Sequence, residues 1–293
     1  MTSTSVGALA HLWRFPVKSM LGEKLDEAHL TDRGILGDRA YALIEASTGK
    51  VVSAKNVKAY PNMFSCRAAF VEAPRPDAIP PVRITFPDGT STTSDSGKVD
   101  AVLSKFFGHG VTLAQTAPAD FTIDEHHPDI EKDDLGPAIE AQLGSALFAK
   151  IGAPSPVPVG AFFDAFPLSV LTTSTLDALN EVRPQSRFDE RRFRMNVIVR
   201  TSASGFVENE WVNRTLQIGD DVRLRIAMPD PRCVMTTLAQ SELPRDIDVL
   251  RTLTAHNRIP VGGLGKLPCA GVYALVTTGG TVRKGDRISI RDH

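Results

Sequence analysis

A chain of 293 residues, with 42% hydrophobic and 23% charged residues, has an ordinary globular composition and room for one large core or two modest ones. Its 33 basic and 34 acidic residues leave a formal net charge of −1, which excludes a general attraction to nucleic acid or to anionic membrane. Three scattered cysteines, Cys66, Cys233 and Cys269, contain no CxxC pair, so a disulfide framework, a zinc ribbon or an iron–sulfur cluster carried by this chain alone is excluded.

In chain order, MTSTSVGALAHLW lacks the basic start and apolar run of a signal peptide, and no segment approaches the ~18 uninterrupted apolar residues of a membrane helix. A soluble, cytoplasmic chain without a membrane or nucleic-acid partner is expected. AHLWRFPVK, EKLDEAHLT, AYALIEAS, KVVSA, CRAAFVEA and VRITF read as short strands, with hairpin turns at Thr48–Gly49 and Pro87–Gly89. Val99, Val102, Leu103 and Phe106 predict a helix over 97–107, capped by Ser96 and ended by Gly108, and VTLAQ follows as a strand. Residues 118–138 are acidic and proline-containing and read as a long surface connection, its His126 and His127 as loop residues. AFPLSVL resumes as a strand before a helix starting near Ser174, with Asp177 completing a capping box and Pro184 stopping it. MNVIVRT, RTLQIG, DVRLRIAM, AGVYALVTT and RISIRD read as strands, with one more helix at 245–256. The expected fold is mainly β (α+β), two β-barrel-like lobes with peripheral helices, divided as 1–117, an acidic connection at 118–138, and 139–293.

Cys233 carries the main chemical signal. It follows a strand and a Pro-Asp-Pro turn, whose fixed φ values suit a group held in one position. Arg232 beside it would favour thiolate over thiol. The alternative is a buried cysteine filling core space. Lys18 and Ser19 follow a strand and a proline, and Arg39 follows a glycine-rich turn. Arg194 and Asn196, two apart at a strand start, would project to one face. Such Lys, Arg and Asn groups, if they converge, suit a polar phosphorylated ligand; taken singly, each reads as a solvated surface group.

These segments resemble a known family. LWRFPVKSMLGE and DRGILGDRAYAL are similar to the N-terminal β-barrel region of MOSC proteins, and FRMNVIV, Trp211, IGDDVRLRI, PDPRCVMTT and GTVRKGDRISI to the MOSC domain. The family includes the mitochondrial amidoxime-reducing component and bacterial relatives. The resemblance implies a molybdenum cofactor held by one pyranopterin and one protein thiolate, here Cys233. It puts Lys18, Ser19, Arg39, Arg194, Asn196 and Arg232 around the pterin and its phosphate. Asp164 matches an acidic position and becomes a candidate proton donor or cofactor contact. The family's small hydroxyl residues are replaced by Ala165 and Phe166, and Lys55 and Asn56 also depart from the pattern. The implied activity is reduction of N-hydroxylated small molecules, with electrons from a separate ferredoxin- or flavin-reductase-type partner. A sulfur carrier with a persulfide on Cys233, or a cofactor carrier without turnover, are the alternative readings.

Overall fold

Alternation with a period of two decides the larger of two units. Along Val197–Arg200, Val197 and Val199 join one buried cluster, while Ile198 points to another on the opposite face. Val170 and Leu171 divide in the same way along Leu168–Thr172. The computed structural model describes residues 3–150 and 152–291. Its first unit comprises the residues up to Trp13, Lys24–Ile35 and those from Phe166 on. Its second comprises Arg14–Glu23 and Leu36–Ala165.

Seven strands of the first unit close into a barrel. In order around it they are Leu168–Thr172, Val197–Arg200, Ser3–Arg14, Arg287–Arg291, Thr215–Ile218, Val222–Pro231 and Lys266–Thr278, the last pairing back with the first. Leu168–Thr172 and Val197–Arg200 run parallel, which requires a crossover, and helix Thr173–Val182 lies between them in the chain. Leu9, Leu216, Leu224, Val272 and Ile288 fill the interior. Outside, Leu171 and Ile198 pack with Leu179 of that helix and with Val249 and Leu253 of helix Asp248–His256. The cap of Thr173–Val182 differs from expectation: Thr172, not Ser174, accepts the Thr175 amide. Ser174 instead donates to the Gly205 carbonyl.

The second unit uses smaller sheets. Ala42–Glu45 pairs with Val111–Ala114, and Arg67–Phe70, Val82–Thr85 and Ser91–Thr93 form a meander. Helix Val99–Phe107 ends at Gly108, whose φ of 72° is the left-handed closure expected there. Both hairpin turns hold, with Gly49 and Gly89 at φ 71° and 83°. The long connection expected at 118–138 is corrected: Thr122–Asp129 and Asp134–Gln142 form an antiparallel hairpin. Its polar surface hid the signal, because Ile123 is the strand's one buried apolar residue, joining Phe121, Leu143 and Phe162 in the core. His126 and His127 therefore lie on a strand, the first buried and the second exposed. The chain is mainly β with few helices, as composition and turn pattern led us to expect. Among the described residues no helix is long and apolar enough to cross a membrane.

Candidate functional site

Cys233 lies just past a barrel strand. The Pro229-Asp230-Pro231 segment, expected as a turn, is the irregular end of strand Val222–Pro231, pairing Pro229 with Val272 and Pro231 with Cys269 across two register shifts. Prolines fit there because shifted registers spare the amides they lack. Cys233 has extended backbone and starts the single turn Val234–Thr237. It is partly exposed, whereas Cys66 and Cys269 are buried, and burial pushes both of those thiols up to about 12. Cys66 and Cys269 are thus core-filling thiols. The core-filling alternative falls away only for Cys233.

Arg232 is not a loose cation beside that sulfur. Its backbone amide donates to the Pro268 carbonyl at 2.8 Å. Its guanidinium ion-pairs with Asp230 and donates to the carbonyls of Ala270 (3.0 Å) and Phe193 (3.0 Å) and to Met195 Sδ at 2.9 Å. Every guanidinium nitrogen is engaged by protein, and the charge is answered by Asp230. The geometry makes Arg232 a clamp that ties the Cys233 strand end to the Phe193–Met195 segment.

That segment corrects a further expectation. Arg194 and Asn196 do not share a strand face, because the strand starts only at Val197. Glu190–Phe193 forms a short helix capped by Asp189, and Arg194 closes it in left-handed backbone at φ 54°. The apolar alternation of MNVIV masked this turn. The Asn196 side chain accepts from the Ser169 amide and hydroxyl at 3.2 and 3.1 Å and donates to the Trp13 carbonyl at 3.3 Å. It stitches three barrel strands together at the same end.

The second unit gathers Lys18, Ser19, Arg39 and Asp164, with Lys55 and Glu125 added. Lys18 Nζ is buried, ion-pairs with Asp164 and donates to the Phe162 carbonyl at 2.9 Å. Lys55 Nζ reaches the other Asp164 oxygen at 3.0 Å and Glu125 at 3.4 Å, and Glu125 meets His127 at 3.1 Å. Ser19 Oγ accepts the Ala54 amide at 3.0 Å, which fixes the backbone next to Lys55. Arg39 pairs with the fully buried carboxylate of Asp38 and lies over the Phe15 ring at 4.6 Å. Ser19 and Arg39 both take left-handed backbone, at φ 64° and 49°. Non-glycine residues adopt it at a cost of about 1–2 kcal/mol, and such costs concentrate where a side chain must be aimed.

Electrostatics bear on Asp164. Partial burial alone would raise its carboxyl, but the ammoniums of Lys18 and Lys55 outweigh this and hold it well below the usual carboxylate range. Bridging two lysines favours its charged form. Burial in turn pulls Lys18 below its ordinary value, with Asp164 opposing. A sign follows for acid. The unfolded carboxyl protonates near pH 4, the folded one lower, so the pairing stabilises fully above that pH and is lost as pH falls further. Thermal unfolding followed by circular dichroism at stepped pH should show the wild type losing more Tm between about pH 5 and 3 than Asp164→Asn loses.

Two buried polar residues escaped the sequence reading. Glu208, fully buried, accepts the hydroxyls of Thr172 and Thr175 at 2.6 Å each, and burial raises its carboxyl despite them. Arg192 is buried at 1% exposure. Both sit in charged sequence, Val207–Trp211 and Glu190–Phe193, that reads as surface. At the position where a small hydroxyl was expected, Phe166 stacks on Tyr273 with ring centroids 5.0 Å apart.

A closed barrel that ends one strand just before a partly exposed thiol defines a β-barrel domain in which, among the described residues, Cys233 is the one cysteine that is not buried. The chain carries a MOSC domain over residues 158–289 and a MOSC N-terminal beta barrel domain over residues 6–110. Among curated proteins it is similar to mitochondrial amidoxime-reducing component 1 of Mus musculus, 26% identical over 97% of this chain and 82% of that protein. The Homo sapiens protein of the same name is 25% identical over the same shares. Among solved structures, the YUAD protein from Bacillus subtilis is similar at TM-score 0.45 and 12% identity, covering 100% of this chain and 97% of that one. YiiM from Geobacillus stearothermophilus is similar at TM-score 0.31 and 12% identity, over 43% and 54% of the two chains.

Proposed function

We propose that this chain binds a pyranopterin molybdenum cofactor through Cys233 and reduces N-hydroxylated small molecules. The observation that carries the reading is the half-exposed thiol of Cys233, clamped at a barrel strand end inside a MOSC domain. The donor set fits the group. A thiolate is a soft ligand, and one thiolate suits a metal that arrives with sulfur ligands of its own. Among the described residues no cluster of three or more His, Cys, Asp or Glu stands ready for a bare metal. Similarity to proteins named for amidoxime reduction supports the substrate class.

When bound, the cofactor would supply the two-electron chemistry of N–O cleavage. The chain's own residues bind and orient. In the first unit, Cys233 would hold the metal, Arg232 would fix the sulfur's position, and Arg194 and Asn196 would present the polar edge beside them. In the second, Lys18, Ser19 and Arg39 would serve the pterin and its phosphate, Lys as a point charge and Arg as a fork. Asp164 would hold the Lys18 and Lys55 ammoniums apart and charged. Cleaving one N–O bond consumes two electrons and two protons and releases water. The electrons would come from a separate ferredoxin- or flavin-type donor protein, in a reducing compartment such as the cytoplasm, where three thiols stay free.

The test is production in a host that makes the cofactor, followed by elemental analysis, the visible spectrum and turnover of benzamidoxime with reduced flavin or ferredoxin as donor. About one molybdenum per chain is expected, since one thiolate binds one metal, together with conversion of benzamidoxime to benzamidine and water. Protein free of molybdenum but carrying a persulfide on Cys233 would replace this reading with sulfur transfer.

A further inference from the structure

We propose that Arg192, two residues before Arg194, is the positioning residue of the Cys233 turn. Its guanidinium donates to four backbone carbonyls: Arg187 at 2.9 Å, Pro244 at 2.8 Å, and Thr236 and Leu238 at 3.4 and 3.3 Å. Thr236 lies within, and Leu238 directly after, the turn Val234–Thr237 that Cys233 begins. Besides Arg192, that turn is held by the Asp246 amide, which donates to the Thr237 carbonyl at 2.8 Å, by the Thr237 hydroxyl on the Val234 carbonyl at 2.7 Å, and by short bonds of its own. Thr236 returns its amide and hydroxyl to the Cys233 carbonyl at 3.2 and 3.0 Å, and the Leu238 amide reaches Met235 at 3.3 Å. A single turn with i→i+3 bonds is marginal by itself, and its last carbonyls have no partner within it.

Arg192 supplies partners for the Thr236 and Leu238 carbonyls. It stands on helix Glu190–Phe193, the same helix whose Phe193 carbonyl receives Arg232 at 3.0 Å. One short helix therefore grips the chain before Cys233 through Arg232 and after it through Arg192. The two arginines differ in charge balance: Arg232 is paired with Asp230, whereas the bonds of Arg192 go to neutral carbonyls. A methionine of similar length would fill the volume and leave four carbonyls without their donor.

The inference deepens the reading of Cys233 as the working sulfur, and its test uses metal-free protein, so a failed molybdenum assay leaves it standing. In Arg192→Met, backbone amides of 234–238 should exchange about tenfold faster with solvent deuterium, while strand Arg287–Arg291 keeps its protection. Iodoacetamide should modify Cys233 at least about fivefold faster than in wild type, with Cys66 and Cys269 still unmodified. Arg192→Lys, which keeps a donor and the charge, should recover at least half of both effects. Cys233 modified at the wild-type rate in Arg192→Met would overturn the proposal. So would all three cysteines reacting together in both variants, which is loss of the whole unit rather than of one turn.

Discussion

Cys233→Ser is expected to leave the fold intact and to cut bound molybdenum at least about tenfold, from near one per chain. The oxygen of serine is small enough for the site, and the half-exposed position leaves no large cavity, so unfolding free energy should change by about 0.5 kcal/mol or less. What changes is ligand chemistry. A hydroxyl stays protonated at neutral pH, whereas a thiol ionises within reach of it and gives a soft anionic donor. Cys66 and Cys269 offer no substitute, because both are buried and their thiols are pushed up to about 12. Cys66→Ser and Cys269→Ser should therefore retain the metal while losing stability. Elemental analysis of the three purified variants, beside their circular dichroism melts, separates the cases. Full metal content in Cys233→Ser would mean that another group holds it.

The contrast among the cysteines also marks where sequence reading works and where it stops. The strand signals around Cys233 came from local alternation, and the barrel bears out those at RTLQIG, DVRLRIAM and RISIRD. Local patterns say nothing about partners. Strand Ser3–Arg14 pairs with Val197–Arg200 and Arg287–Arg291, contacts that no neighbouring residue announces. The strand Thr122–Asp129 was not legible because its polar and acidic residues outnumber its one buried apolar residue, Ile123. In the candidate site, Cys233 stands out in the sequence through the two prolines that precede it and its solitude. The clamp was not. That Arg232 serves Asp230, Ala270 and Phe193 rather than the sulfur follows from backbone carbonyls brought together by the fold, and residue types do not encode carbonyl directions. Arg192 lay in a run of charges, FDERRFR, where burial of one arginine among its neighbours has no compositional trace.

Gly271→Ala should be strongly damaging to the first unit, costing about 3 kcal/mol or more. Two effects add. The backbone there is left-handed at φ 80°, a region that costs alanine about 1–2 kcal/mol. The new Cβ would also stand 2.1 Å from Met195 Cε and 2.6 Å from the Val170 carbonyl oxygen. Methionine can swing away, but the carbonyl belongs to the barrel strand Leu168–Thr172, where Val170 pairs with Val272 and cannot retreat without opening the seam. The damage would reach the site by a short path. Met195 and the Ala270 carbonyl are two of the groups that hold Arg232, and Arg232 precedes Cys233. Urea unfolding of purified Gly271→Ala should give a lowered midpoint with an unchanged slope, and the variant should bind less molybdenum even when still folded. Met195→Ala on top of it would relieve the 2.1 Å contact but not the carbonyl one, so the double variant should regain only part of the loss. Full recovery would mean that the side chain, and not the barrel backbone, is what requires glycine at this position.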